Sequence, residues 1–226
     1  MRSTTAGLLL FLGSGIGIGG LAGQEVSGTP GPRLLLPPAE EIPLARSAAP
    51  SSVSKEARVW VFAAGKYMVA DSGTSSVQCY VGRGWPKALE PHCFDEEGAR
   101  TIMPIEMRQS EMLHQGIAPD SVQRTIAAGI ASGRFRLPQR PVMSWMQSAA
   151  QVLYDDDGSR VGAWKPHIMI YYPYLTSQSI GTGSNRDIAA GIVVSAGSPL
   201  SNLMIVVPEA VRLSVDTANP AGSGRR

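Results

Sequence analysis

The chain has few of the residue types that most often build metal, redox and acid–base sites. Among its 226 residues are two cysteines and three histidines, and aromatic residues make up 6% of the sequence. Neither sign of charge dominates, since the formal net charge is +2. This balance gives no reason to expect a nucleic-acid partner. The H-E-x-x-H, C-x-x-C-H, Walker and G-x-S-x-G patterns are all absent, so the familiar zinc, haem, nucleotide and serine-hydrolase signatures are missing.

Long apolar runs are also absent after the first 23 residues. Residues 1–23 carry one cation, Arg2, then an apolar and glycine-rich run, and end in small residues. This layout predicts a secretory signal peptide, cleaved after Ala22 or Gly23. The run is too short and too rich in glycine for a membrane span, which needs roughly 20 strongly apolar residues. We therefore expect an extracytoplasmic protein, periplasmic or secreted, with no stable membrane span after cleavage.

Composition divides the rest of the chain into three parts. Residues 24–50 are rich in proline, glycine and alanine, which predicts a linker. A short helix is possible in PAEEIPLARSAA, because Glu40 and Glu41 would complement its N-terminus. Residues 51–215 are long enough for a single domain with its own core. Residues 216–226 have little to bury, which predicts a disordered tail.

The domain opens with strand-like patterns. Residues 57–62 are β-branched and aromatic, and residues 67–70 and 77–81 follow after turn-forming segments. We expect a three-stranded antiparallel meander, because consecutive strands usually pair. Cys79 then lies on a strand, and the proline-containing segment GRGWPKALEP after it is expected to be irregular.

A helical pair is predicted next, over residues 105–115 and 119–131. Glycine or Ser-Gly follows each segment as a stop signal, and Pro119 suits a first helical position. Val122, Ile126 and Ile130 recur every four residues and give the second helix one apolar face. The acidic residues 95–97 before this pair are expected to form a solvated turn.

Strand patterns return in the last third of the domain. Residues 141–154 and 161–164 resemble two strands joined by an acidic turn, and residues 165–174 form a third. Residues 202–208 are the most apolar, which predicts a central strand covered on both faces. Together these patterns predict an α+β fold, a mainly antiparallel sheet with an inserted helical hairpin.

Cys79 and Cys93 are the only cysteines in the chain, and three interpretations remain open for them. Their even number and the predicted export favour a disulfide, which would stabilise the fold by about 3 kcal/mol. A metal site joining them to His114 and His167 is conceivable, but the spacing lacks the close pairs that zinc prefers. A redox-active pair is disfavoured, since neither cysteine lies at a predicted helix N-terminus. We expect no metal and no cofactor.

The histidines are the candidates for acid–base chemistry. His167 or His92 could act as a general base, with Asp95 or Glu96 orienting it. On a strand, His167 would share one face with Tyr171, and this face could line a groove. The alternative is that His167 is a structural residue, hydrogen-bonded to a neighbouring carbonyl group.

A family resemblance covers about residues 40–208. It lies in ARVWVF, CYVGRGWPKALEPHCFDEEGARTI, SGRFRLPQRP, PHIMIYYPYLT and NLMIVVP, which resemble a set of exported bacterial proteins of unassigned function. The resemblance implies a bacterial, extracytoplasmic protein in which the two cysteines pair. It implies no reaction, cofactor or substrate.

Two classes of function follow from these residues. The favoured one is a non-catalytic exported domain that binds a small molecule, a glycan or an envelope protein. Its binding surface would be formed by the aromatic side chains of Trp85, Tyr171, Tyr172 and Tyr174. The alternative is a hydrolase of unfamiliar type that uses a histidine and a carboxylate. A pocket that holds both groups within hydrogen-bond reach would favour the enzyme.

Overall fold

The computed structural model describes residues 35–84, 88–155, 159–182 and 191–207. Within these ranges the chain forms four helices and ten strands. The helices are α1 Pro38–Arg46, α2 Ser51–Ser54, α3 Glu96–His114 and α4 Pro119–Ala131. The strands are β1 Arg58–Ala63, β2 Lys66–Asp71, β3 Gln78–Gly82, β4 Ala88–Phe94, β5 Val142–Met146, β6 Val152–Tyr154, β7 Arg160–Gly162, β8 His167–Tyr171, β9 Ile192–Val194 and β10 Asn202–Val206.

The strands form one mainly antiparallel sheet. Its order is β2-β1-β3-β4-β5-β8-β10-β9, and the β6–β7 hairpin branches from the start of β4. The helical pair α3–α4 lies between β4 and β5 in the chain. The predicted α+β class, with a mainly antiparallel sheet and an inserted helical hairpin, is confirmed. No helix in the described part of the chain is both long and apolar enough to cross a membrane.

The predicted antiparallel meander is wrong at its third strand. β1 and β2 form a tight hairpin through Ala64 and Gly65, which both have positive φ. β3 lies on the opposite side of β1 and runs parallel to it. Burial explains this order, because Cys79, Tyr80 and Val81 are all buried and need an interior position. β2 is largely exposed and forms the sheet edge.

β4 was not predicted, because prolines in the segment before Cys93 suggested irregular structure. One of them, Pro91, lies within the strand. On the side away from β3, β4 pairs first with β6 through residues 88–89 and then with β5 through residues 93–94. Pro91 lies between these two pairings, where its missing N–H breaks no ladder hydrogen bond on that side.

The disulfide between Cys79 and Cys93 joins the start of β3 to the end of β4. The two residues are directly opposite each other in the antiparallel ladder, with 2.02 Å between their sulfur atoms. Both side chains are fully buried. The predicted pairing of the cysteines is confirmed.

One face of the sheet is covered by α1 and the residues that follow it. Leu44, Ala45, Ala48 and Ala49 form a core cluster with apolar side chains of β1, β3 and β4. The segment expected to be a linker with a short helix therefore contributes a helix to the core. Small side chains allow α1 to lie close to the sheet.

A buried ion pair joins α1 to the residue after β3. Arg83 Nη1 donates to Glu41 Oε1 at 2.8 Å, and both side chains are almost completely shielded from solvent. The backbone N–H of Phe62 also donates to this carboxylate. Burial raises the pKa of Glu41, and the hydrogen bond and charge of Arg83 oppose that rise. Glu41 thus links α1 to β1 and to the end of β3.

The opposite face of the sheet carries α3, which begins at Glu96 instead of residue 105. The Asp95 side chain caps it by accepting a hydrogen bond from Gly98 N at 2.8 Å. Its second oxygen accepts from Met143 N on β5 at 3.2 Å. The acidic residues are thus a helix cap and first turn, not the expected solvated turn. Pro104 lies inside α3, and the helix continues through it.

The last predicted strand is not central. β10 lies next to the edge strand β9, and four of its five residues are only half-buried. The apolar run had been interpreted as a strand covered on both faces. That interpretation is wrong, because the same composition also suits a strand near the edge of a sheet.

Candidate functional site

A cavity of about 830 Å³ lies between the sheet and the helices α3 and α4. This volume is within the range of small-molecule sites in proteins. Its floor is formed by alternate residues of four strands, because every second side chain of a strand points to the same face. Tyr80 of β3 lies opposite His92 of β4, and Tyr171 of β8 lies opposite Asn202 of β10. The register of the sheet thus brings distant parts of the chain together.

Glu106 of α3 lies at the polar centre of the cavity. Tyr171 Oη donates to Glu106 Oε1 at 2.6 Å, and Tyr80 Oη donates to Oε2 at 2.5 Å. Burial alone would raise the pKa of Glu106, but the charge of His92 and the neighbouring donors hold it below the ordinary value of 4.5. The same burial, together with the negative charge of Glu106, raises the pKa of both tyrosines. Glu106 is therefore ionised and the tyrosines are protonated at neutral pH.

His92 faces the same carboxylate. Its Nδ1 lies 3.2 Å from Glu106 Oε2, and the side chain is only 6% exposed. Neither ring nitrogen has a hydrogen-bond partner within the described residues, so the contact between Nδ1 and Glu106 Oε2 is an ion-pair contact. The Tyr80 ring packs edge-on against the imidazole, which fixes the position of the ring. A carboxylate on one nitrogen of a histidine favours a protonated Nδ1 and leaves Nε2 available to accept a proton.

A second carboxyl group, on Glu90, lines the cavity two residues before His92. Its Oε1 accepts a hydrogen bond from Trp164 Nε1 at 2.6 Å. Burial raises the pKa of Glu90, and His92 and Trp164 oppose this rise. The pKa values of two carboxyl groups that line the cavity, Glu90 and Glu106, are therefore shifted in opposite directions. Opposed shifts of this kind are typical of acid–base pairs.

His167 also lines the cavity, at the start of β8. Its Nδ1 lies 2.6 Å from the carbonyl oxygen of Lys165. A carbonyl can only accept a hydrogen bond, so Nδ1 carries the proton and donates it. Burial lowers the pKa of His167, which makes the neutral form dominant at neutral pH. This geometry matches the structural interpretation of His167 as a histidine bonded to a carbonyl group.

The structure brings some of the predicted site residues together and separates others. His92, His167 and Tyr171 line the cavity. Asp95 instead caps α3 and is not among the residues that line the cavity. Tyr172 and Tyr174 lie after the end of β8, are exposed and are not among the residues that line the cavity.

The remaining residue of the predicted binding surface, Trp85, lies outside the described residues. The sequence analysis missed Glu106, Glu90, Tyr80 and Trp164. One signal was present, because Glu106 follows Ile102 by four residues on the buried face of α3. A carboxylate on an apolar helix face is rarely buried without a partner.

No group of three or more histidine, cysteine, aspartate or glutamate side chains is placed to hold a metal ion in the ranges that the structure describes. Comparison of the chain with protein-family models, curated proteins and solved structures gives no match.

Proposed function

We propose that the cavity is the active site of a hydrolase that uses His92 as its general base. One observation carries this proposal: the Glu106 carboxylate lies 3.2 Å from His92 Nδ1, within ion-pair distance, and neither ring nitrogen is used in a hydrogen bond among the described residues. Glu106 would orient the ring and stabilise the imidazolium formed when Nε2 accepts a proton. Tyr80 and Tyr171 hold the carboxylate in place.

Glu90 is the matching general acid. In the proposed step, His92 Nε2 takes a proton from water and the water oxygen attacks the electrophilic atom of the substrate. The bond to the leaving group breaks, and protonated Glu90 donates its proton to that group. The raised pKa of Glu90 keeps the acid form present at higher pH than for an exposed glutamate. Water is the only co-reactant: the leaving group takes its proton from Glu90, and the proton that His92 took from water returns to Glu90 before the next turnover.

A second candidate is the non-catalytic binding domain. Both oxygens of Glu106 already accept tyrosine hydrogen bonds, so the network is also suited to be a rigid wall of a binding pocket. The ligand would be a small molecule, a glycan or part of an envelope protein. This candidate differs from the hydrolase in one measurable way, since it predicts binding without turnover.

We also propose that the protein works outside the cytoplasm. A buried disulfide supports this, because such bonds persist mainly in oxidising compartments. The predicted signal peptide, residues 1–23, and the resemblance to exported bacterial proteins point the same way. The signal peptide lies outside the described residues, so N-terminal sequencing of the exported protein is its test.

The test of the hydrolase is a turnover assay with chromogenic esters, phosphate esters and glycosides. We expect the full chain to hydrolyse one of these classes, and His92→Ala and Glu106→Gln to lower kcat/KM by about a hundredfold or more. His114→Gln is the matched control, because this histidine packs on Phe62 and does not line the cavity. As pH rises through the raised pKa of Glu90, kcat/KM should fall because the acid form is lost.

Two results would contradict the hydrolase. The first is a wild-type protein that binds a ligand in the cavity and turns none of these substrates over, which would favour the binding domain. The second is a His92→Ala variant that is folded and as active as the wild type. A circular dichroism melt of each variant shows whether it is folded.

A further inference from the structure

Trp164 gives one side of the cavity a flat apolar surface. The residue lines the cavity, and 41% of it is exposed. Its Nε1 donates to Glu90 at 2.6 Å, which holds the indole ring in one orientation. An oriented and partly exposed indole can stack on a flat ligand with little loss of conformational entropy. One face of a sugar ring carries mainly C–H groups and has this shape.

The polar lining both donates and accepts hydrogen bonds. Gln109 and Gln123 carry amides on the side of the helices, and Asn202 carries one on the floor. Asn202 is only 5% exposed, and its Oδ1 has no partner within the described residues. A buried acceptor without a partner costs stability unless a ligand or water satisfies it. Hydroxyl groups suit such a lining, since each can donate and accept.

The charges of the lining favour a ligand without a net charge. No lysine or arginine is among the described residues that line the cavity, so an anion would find no fixed cation there. The Glu106 carboxylate is already engaged by His92 and two tyrosines. Glu90 is bonded to Trp164, and burial raises its pKa, which reduces its negative charge. Asp120 is exposed to solvent, where water screens it.

We propose that the ligand of the cavity is a neutral, polyhydroxylated ring such as a sugar unit of a glycan, stacked on Trp164 and hydrogen-bonded to Asn202. This inference deepens the proposed function by naming its substrate class and rests on the same cavity. It also holds for the binding domain, because stacking and hydrogen bonding need no turnover.

The experiment is isothermal titration calorimetry of the full chain with disaccharides of similar size and different charge. Cellobiose and N,N′-diacetylchitobiose are neutral, fully deacetylated chitobiose is a cation, and digalacturonate is an anion. We expect at least one neutral disaccharide to bind at concentrations up to about 10 mM, more tightly than either charged one. Trp164→Ala should weaken this binding roughly tenfold.

Trp164→Phe keeps an aromatic platform and should lose less affinity than Trp164→Ala. Tyr172→Ala is the matched control, because Tyr172 is an exposed aromatic residue outside the cavity lining. Its binding should equal that of the wild type. A thermal melt of each variant confirms that it is folded, and the Phe variant keeps the test valid if the Ala variant does not fold.

Several outcomes would overturn the sugar proposal. The first is that neither neutral disaccharide shows saturable binding, and the second is that a charged disaccharide binds more tightly. The third is that folded Trp164 variants bind the neutral disaccharide as tightly as the wild type. If the protein hydrolyses esters and binds no sugar, the ligand class is wrong and the hydrolase remains. If it binds a neutral sugar through Trp164 without turnover, the ligand class is supported and the hydrolase is wrong.

Discussion

Glu106 and Glu90 occupy one cavity and have their pKa values shifted in opposite directions. Burial raises the pKa of both carboxyl groups, so the difference between their pKa shifts comes from their neighbours. Glu106 has two tyrosine hydroxyls and His92 around it, which stabilise its charged form. Glu90 has one N–H donor, and the charge of Glu106 itself disfavours its ionisation. The neighbouring hydrogen bonds and charges therefore keep Glu106 ionised, whereas Glu90 keeps its proton to a higher pH.

Glu106→Gln should destabilise the protein at neutral pH, and the effect should disappear in acid. The folded-state pKa of Glu106 lies below its ordinary value of 4.5, so ionised Glu106 stabilises the fold above that pH. The stabilisation is lost as pH falls through the depressed folded-state pKa. We expect a loss of about 1–3 kcal/mol at pH 7 in urea unfolding. Repeating the unfolding at pH 5, 4 and 3 should show the variant and the wild type converging.

Glu96→Gln is the control for this pH series. Glu96 lies on the same helix, pairs with Arg100 at the surface and is more than half exposed. Its replacement should change stability little at any pH, because exposed ion pairs contribute little. A Glu106→Gln variant whose deficit stays constant from pH 7 to pH 3 would contradict the assigned ionisation.

The distance between α3 and the sheet depends on Gly98. A Cβ atom at this position would lie 2.5 Å from Val142 Cγ1 and 2.6 Å from Phe94 Cδ1. Neither neighbour can move freely, because Val142 and Phe94 are completely buried in the core. The glycine therefore lets the first turn of α3 lie in contact with the sheet.

Gly98→Ala should lower the free energy of unfolding by about 1–3 kcal/mol. This overpacking exceeds the gain in helix propensity, which is about 1 kcal/mol for alanine over glycine. Chemical denaturation measures the change. Gly162→Ala is the matched control, because its added Cβ would meet no atom within 4 Å. Equal stability of Gly98→Ala and the wild type would show that α3 can shift away from the sheet.

The sequence predicted some helices and strands correctly and missed others. α4 has the predicted bounds, because Pro119 begins it, glycine follows its end and its apolar residues recur at helical spacing. The start of α3 was missed by nine residues, and Pro104 lies inside the part of the helix that was missed. β4 was missed because prolines in its segment suggested irregular structure. Its proline is tolerated only because two different strands share one side of it, and no local pattern reveals that arrangement.

At the scale of the whole molecule, the disulfide crosslinks the strands that carry Tyr80 and His92. Replacing both cysteines by alanine should lower the free energy of unfolding by about 3 kcal/mol, mainly because the unfolded chain gains freedom. Urea unfolding with and without reductant measures this. In the native protein the bond is fully buried, so reductant and an alkylating agent should add no mass until denaturant is present.

The double alanine variant distinguishes a structural bond from a reactive one. At low temperature the remaining core should be enough to keep this variant folded. It should therefore keep the cavity and its ligand binding. Rapid alkylation of the native protein under mild reductant would instead show that the bond opens in the folded state. That result would contradict its purely structural role.

The α+β class, the helical hairpin and the pairing of the cysteines were predicted from local features of the chain. These features are the periodicity of apolar residues, the turn residues and the number of cysteines. The contacts of His92 with Glu106 and of Glu90 with Trp164, and the parallel pairing of β3 with β1, are visible only in the folded molecule. Sheet register and the position of α3 set these contacts. They join residues far apart in the chain, whose proximity depends on how buried surfaces pack and not on any neighbouring residue.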